Sequence, residues 1–263
     1  MKKYWSGLMS DFCIVCVTRS GSYWPMEYMC RVFGLVKGNE WFGRNKGADL
    51  SKPFELNTKK LPIDFNVNED LLHDEDIQDR LNHLYNFPVP FCIKAMPGQF
   101  TNTPESLNLP ITEKIEIAQG ILRHFDLVHF VNEDKISHFC YEITAKKCSS
   151  KGYPRLREYS IYDPDLRVDP PANSFTATLR DFNKFMKRDM FKNEVMKEFD
   201  CPIITYQDFV ENQDRELKKV ADYYGVIGDY SDAHKKTILL NPDYTNIFTN
   251  YDEICEWFTT YSK

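Results

Sequence analysis

Short, unbroken apolar runs alternate along this chain with stretches whose apolar residues recur at helical spacing, and that order limits its fold more than any other feature. Runs such as Cys13-Ile14-Val15-Cys16-Val17 and Pro202-Ile203-Ile204-Thr205 carry no polar alternation, which suits strands covered on both faces. Strands are expected at 12–17, 90–95, 127–131 and 202–206. Between them, Met26, Met29, Cys30 and Phe33 recur at helical spacing and Gly34 supplies a stop. The spacing predicts further helices over 69–86, 112–124, 133–147, 174–199, 215–224 (closed by Gly225) and 252–261, the last capped by Asn250 or Asp252. Residues 43–68 and 148–174 read as loops. Strand and helix in turn argue for an α/β fold with a mainly parallel sheet, in one domain spanning 1–263 with no internal repeat.

Composition narrows the class. The chain has 263 residues, 42% hydrophobic and 27% charged, enough apolar content for a sizeable core, which excludes dominant disorder. No stretch approaches the ~20 apolar residues of a membrane span, and the early run at 12–17 is too short for a signal-peptide core. The net charge of -6 argues against a nucleic-acid partner, since such proteins are ordinarily basic; a local basic pocket for a small anion remains open. Eight cysteines without a secretory signal read as reduced thiols in a cytoplasmic protein. Cys13 and Cys16 form a CxxC pair, but three residues apart on a strand they point to opposite faces. They read as small core hydrophobes rather than zinc ligands or a redox pair. The six histidines show no metal spacing, and His129 and His138 read as structural.

Chemistry concentrates in Val17-Thr18-Arg19-Ser20-Gly21-Ser22-Tyr23-Trp24. A strand enters, a hydroxyl-rich turn follows and a helix leaves. The first N–H groups of a helix lack partners and its dipole is positive there. Gly21 lets the backbone approach a ligand, Ser20 and Ser22 add hydroxyl donors, and Arg19 adds a fixed charge. Together they suit a phosphate- or sulfate-like group. The same residues also read as a capped helix start with surface serines. The turn lacks the first Gly and the Lys of the nucleoside-triphosphate P-loop.

This turn resembles the 5′-phosphosulfate loop of sulfotransferases that use 3′-phosphoadenosine 5′-phosphosulfate (PAPS), with the closest likeness to bacterial Stf0-type carbohydrate enzymes. Gly34 and then Glu40-Trp41-Phe42 resemble the Gly and Glu-aromatic-Phe segment of that group. Pro90-Phe91-Cys92-Ile93-Lys94 is similar to its second strand. Val128-His129-Phe130-Val131, followed by Asn132-Glu133-Asp134-Lys135, is similar to its third strand and 3′-phosphate motif. Ile203-Ile204-Thr205-Tyr206-Gln207-Asp208-Phe209 is similar to its late Tyr-Glu-Asp-Leu strand. The pieces run in the family's order from residue 12 to about 226. Thr18 replaces the loop's Pro, and the family's 3′-phosphate Arg and Ser fall at Asn132 and at Cys140 or Tyr141. Lys135, Lys146, Lys147, Arg155 and Arg157 are the cations available to substitute.

The resemblance implies a P-loop-like three-layer α/β/α fold and a soluble PAPS-dependent sulfotransferase acting on a hydroxyl of a small-molecule or carbohydrate acceptor. It implies a donor site built from Thr18, Arg19, Ser20, Gly21, Ser22, Tyr23 and Trp24 with Asn132, Cys140 and Tyr141, and no metal. Glu40 matches the family's catalytic base or is a surface carboxylate. Lys94 lies near the transferring sulfate or at a strand-end surface. Trp24 stands against adenine or in the core of the first helix. Two other functions stay open: a P-loop-fold kinase, and a degenerate family member that binds a nucleotide or partner without turnover.

Overall fold

The structure is a computed structural model describing residues 11–17, 20–39, 42, 81–82, 84–85, 89–101, 106, 108–151, 172–231 and 243–261. These fall into two compact units, 1–131 with 191–233, and 132–190 with 234–263. No helix among the described residues is long and apolar enough to cross a membrane.

The first unit holds a five-stranded sheet: β1 (Phe12–Val15), β2 (Val36–Asn39), β3 (Phe91–Ala95), β4 (Asp126–Val131) and β5 (Ile203–Thr205). All pairings are parallel, in the order β2-β3-β1-β4-β5. Every residue of β1 is buried, as its unbroken apolar run requires of a central strand. Alternate side chains serve opposite layers. Cys13 and Val15, with Ile93 and Ala95, pack on Ala118, Ile121 and Leu122 of α2 (Ile111–Leu122) and on Val195 and Met196. Phe12, on the other face, meets Phe33 just after α1 (Tyr23–Val32) at 5.9 Å and Tyr224 at 5.3 Å between ring centroids. Helices therefore cover both faces, giving the expected three-layer α/β/α arrangement with a wholly parallel sheet.

The carboxyl end of β5 leads into α5 (Tyr206–Glu211), where Thr205 accepts a hydrogen bond from the Asp208 N–H at 3.0 Å. α6 (Gln213–Tyr224) follows, capped by Asn212, which accepts from the Arg215 N–H at 3.0 Å, and closed by Gly225 at φ 65°. Both caps satisfy donors that a helix start otherwise leaves orphaned.

The second unit is helical among its described residues. α3 (Lys135–Lys151) packs with α4 (Leu179–Met196), whose last turns belong to the first unit; α7 (Tyr244–Ile247) and α8 (Tyr251–Tyr261) complete it. Its core is aromatic: Phe139 meets Phe185 at 5.5 Å and Phe182 meets Phe258 at 4.9 Å. α4 begins at Leu179 rather than 174, because 174–177 is engaged elsewhere. The Thr249 N–H donates to the Phe175 carbonyl at 2.8 Å, and the Asn250 side chain both donates to and accepts from the Ala177 backbone. Of the two expected caps, Asn250 directly precedes α8 and Asp252 lies within it, and the Asn250 amide ties down the distant segment at Ala177.

Candidate functional site

Two neighbouring strands send the chain to opposite faces of the sheet. β1 continues into α1 on the Phe12 face, and β3 leads to α2 on the Cys13 face. In a parallel α/β sheet, such a reversal opens a crevice outside the carboxyl ends of the two strands, where ligands bind. The hydroxyl-rich turn leaves β1 at this point.

Ser20 is 1% exposed, and its Oγ has no hydrogen-bond partner among the described residues. Its N–H donates to the Val17 carbonyl at 3.4 Å, which folds the turn back on the strand end. Gly21 has φ +85°, and a Cβ added there would stand 2.7 Å from the Tyr206 ring, so glycine is required for both conformation and space. Ser22 is buried and occupies the N-cap of α1 without making a side-chain cap, and no acidic residue stands in the first turn. A helix start without a carboxylate is set up to receive an external anion.

Lys94 is half-buried near the carboxyl end of β3, in register with Ile14. Its neighbours Ile93 and Ala95 face α2, and Cys92 lies beside Cys30 of α1; strand alternation therefore puts Lys94 on the α1 side of the sheet. Trp24 is 2% exposed and sits with Tyr28 at 5.8 Å and Phe209 at 6.4 Å in an aromatic cluster. The Tyr28 hydroxyl donates to Asp214 Oδ1 at 2.6 Å; burial first, then that carboxylate, pushes the phenol well above its ordinary value. Of Tyr23 only the backbone, in α1, is described.

Thr18, Arg19 and Glu40 lie outside the described residues, as does Trp41. Phe42 is buried against Phe100 at 4.9 Å, which pins the chain two residues after Glu40 to the α2 face of the core. Asn132, Cys140 and Tyr141 belong to the second unit. Asn132 is buried at the end of β4, Cys140 is buried in the aromatic core with its thiol pushed up by burial, and Tyr141 packs on the same core. Of the substitute cations, Lys135 pairs with Asp189 at 2.9 Å, Lys146 with Asp181 at 3.1 Å, and Lys147 donates to the Thr176 carbonyl. Arg155 and Arg157 lie outside the described residues. The structure thus brings Ser20, Gly21 and Ser22 together beyond the carboxyl end of β1 and puts Lys94 on the adjoining strand β3. It adds Tyr206, which sequence reasoning placed in a similar segment without a role.

No protein-family model and no curated protein matches the chain. Among solved structures, it is similar to the sulfotransferase domain from the curacin biosynthetic pathway, with a TM-score of 0.45 at 13% identity, covering 97% of this chain and 99% of that one. It is also similar to mouse sulfotransferase SULT7A1 complexed with PAP, with a TM-score of 0.43 at 14% identity, covering 95% of this chain and 82% of that one.

Proposed function

We propose that the chain is a sulfotransferase that moves a sulfuryl group from PAPS to a hydroxyl of a small-molecule or carbohydrate acceptor. Ser20 carries the assignment. A buried hydroxyl without a partner costs about 1–3 kcal/mol, and the loss is recovered when an anion accepts its hydrogen bond. It stands in a Ser-Gly-Ser turn at a helix start, outside the carboxyl ends of parallel strands, which supports a phosphosulfate ligand.

The turn at Ser20, Gly21 and Ser22 suits the 5′-phosphosulfate end of that donor. The turn's N–H groups, Ser20 Oγ and Arg19 would hold its 5′-phosphosulfate. When bound, PAPS supplies the sulfuryl group, which passes in line to the acceptor oxygen as the bond to the 5′-phosphate breaks. Glu40 takes the proton from the acceptor hydroxyl. Arg19 and the turn stabilise charge collecting on the bridging oxygen of the departing phosphate, and Lys94 adds positive charge on the α1 side. Positioning and electrostatics of this kind supply most of the catalysis in the analogous phosphoryl transfers.

The test is a calorimetric titration of the full chain with 3′-phosphoadenosine 5′-phosphate beside adenosine 5′-phosphate. Micromolar binding that requires the 3′-phosphate is expected. Equal or absent binding of the two removes PAPS as donor. Glu40→Gln is expected to lower turnover by roughly 10²–10⁴-fold with product affinity kept; wild-type turnover in that variant excludes Glu40 as base.

A further inference from the structure

We infer that the outer face of α4 and α8 is a self-association surface that seats a second copy of this chain. The inference is independent of the donor site. It rests on apolar exposure flanked by opposite charges on one face of the second unit.

On a helix of about 100° per residue, Leu179, Met186 and Met190 of α4 fall within roughly 40° of one another. Leu179 is 54% and Met190 47% exposed, and Met186 is half-buried. On α8 the matching positions are Trp257, half-buried, and Tyr261, 46% exposed. The two sets are continuous: the Tyr261 hydroxyl donates to Met190 Sδ at 2.6 Å, and Phe182 lies beneath both Trp257 and Tyr261. A seam of this size is more than the single exposed apolar residues that ordinary surfaces scatter.

Charge selects the occupant. Beyond the seam on α4 lie Arg180, Lys184 and Lys187, all exposed; beyond it on α8 lie Asp252, Glu253 and Glu256, also exposed. Among the described residues, no ion pair engages these six. The α3-facing side of α4 is different, since Asp181, Arg188 and Asp189 are all paired there. One face therefore reads basic, apolar, acidic from side to side. A two-fold axis lying in the face and running along the seam sets seam on seam and the basic arc of each copy on the acidic arc of the other. A two-fold across the seam would oppose like charges. The arrangement is self-complementary, as an isologous interface requires.

Size sets the strength. The seam takes in 12 residues of α4, Leu179–Met190, and α8 has 11, so each contributes about 17 Å. Two helices 8–10 Å apart then present roughly 300 Å², well below the ~800 Å² per partner of a standard interface. The expected dimer is weak and concentration-dependent.

Sedimentation velocity on the full chain, from micromolar to sub-millimolar concentration, tests this. A monomer–dimer equilibrium is expected, weakened by salt. Met190→Glu is expected to raise the dimer dissociation constant at least tenfold. Lys184→Glu with Lys187→Glu, and separately Glu253→Lys with Glu256→Lys, are each expected to abolish self-association; mixing the two folded double variants restores a heterodimer. A chain that stays monomeric throughout overturns the inference. So does a dimer indifferent to Met190→Glu, or a mixture of the double variants that remains monomeric while circular dichroism shows both folded.

Discussion

Ser20 and Gly21 do separate things in the β1–α1 turn, and substitution distinguishes them. Gly21 serves the backbone. At φ +85° and with the Tyr206 ring against it, Gly21→Ala is expected to cost about 1–3 kcal/mol in denaturant unfolding and to weaken binding of 3′-phosphoadenosine 5′-phosphate. A variant with unchanged stability would mean the turn is not held in this conformation. Ser20 serves a ligand, and its substitution should move stability and binding in opposite directions. Removing an unpaired buried hydroxyl leaves the ligand-free chain equally or up to about 1 kcal/mol more stable. Affinity for the donor product is expected to fall about tenfold. A parallel loss of both would assign Ser20 to structure alone. The turn was legible in the sequence because all its components are adjacent: strand end, hydroxyls, glycine, helix start. Tyr206 was not, because only the sheet order brings the end of β5 to Gly21, and no local spacing encodes that. Trp24 shows the same limit. A tryptophan on the first turn of a helix looks alike in sequence whether it faces a ligand or Tyr28 and Phe209.

At the level of elements, the charges along α4 carry unequal weight, one pair reaching α3 and another staying at the end of the helix. Lys135 and Asp189 pair at 2.9 Å with the Asp189 side chain 7% exposed, while Lys197 and Glu194 pair at 2.7 Å with both side chains largely exposed. Asp189→Ala is expected to destabilise by about 2–4 kcal/mol, because a partly buried ammonium is left behind. Glu194→Ala is expected to stay within about 0.5 kcal/mol. Thermal or chemical unfolding of the two variants side by side checks the ranking; equal effects would show that burial does not govern these pairs. Near the start of α4, Asp181 is pushed up by burial, yet the Thr178 hydroxyl and then Lys146 outweigh this and hold its carboxyl below the ordinary 3.8. Thr178 Oγ1 accepts from the Asp181 N–H at 3.2 Å and donates to Asp181 Oδ2 at 2.6 Å. That Thr-x-x-Asp pattern was available in the sequence as a helix-start signal and gives a better boundary than the apolar spacing from residue 174. β2 had no such signal. Val36-Lys37-Gly38-Asn39 is short, polar and glycine-containing, and it is a strand because it lies at the sheet edge beside β3. There a Cβ on Gly38 would stand 2.6 Å from Ile93. β1, β3 and β4 were legible from their apolar runs, and so was β5 at the opposite edge, although Ile203 is exposed there and the strand is not covered on both faces as its run suggested; β2 has no such run and is held by its pairing with β3.

Across the whole molecule, the cysteines behave as the continuous apolar runs around them suggest, and this gives stability a direction with pH. Cys13 and Cys92 lie in the sheet and Cys140 in the helical core, all 0% exposed. Burial pushes all three thiols up, and Cys201, partly buried, is raised from 9.0 to about 11, again by burial. The unfolded chain ionises its thiols near the ordinary value, whereas the folded chain keeps those protons to higher pH. Unfolding therefore releases protons above pH 9.0, and the stability these thiols confer is complete below that value and declines as pH rises through it. The slope is about 1.4 kcal/mol per pH unit for each thiol still protonated only in the folded state. Tyr28 and Tyr224, both raised first by burial, steepen the decline once the ordinary tyrosine range is reached at 10.0. Denaturant midpoints are expected to hold level between pH 7 and pH 8.5 and then fall, roughly as the count of buried thiols requires. Cys13→Ala with Cys92→Ala isolates the cause. The double variant starts less stable, from lost packing, but its stability falls less steeply with pH. An alkaline slope unchanged by removing both thiols would place the pH sensitivity in Cys140, Cys201 and the tyrosines instead.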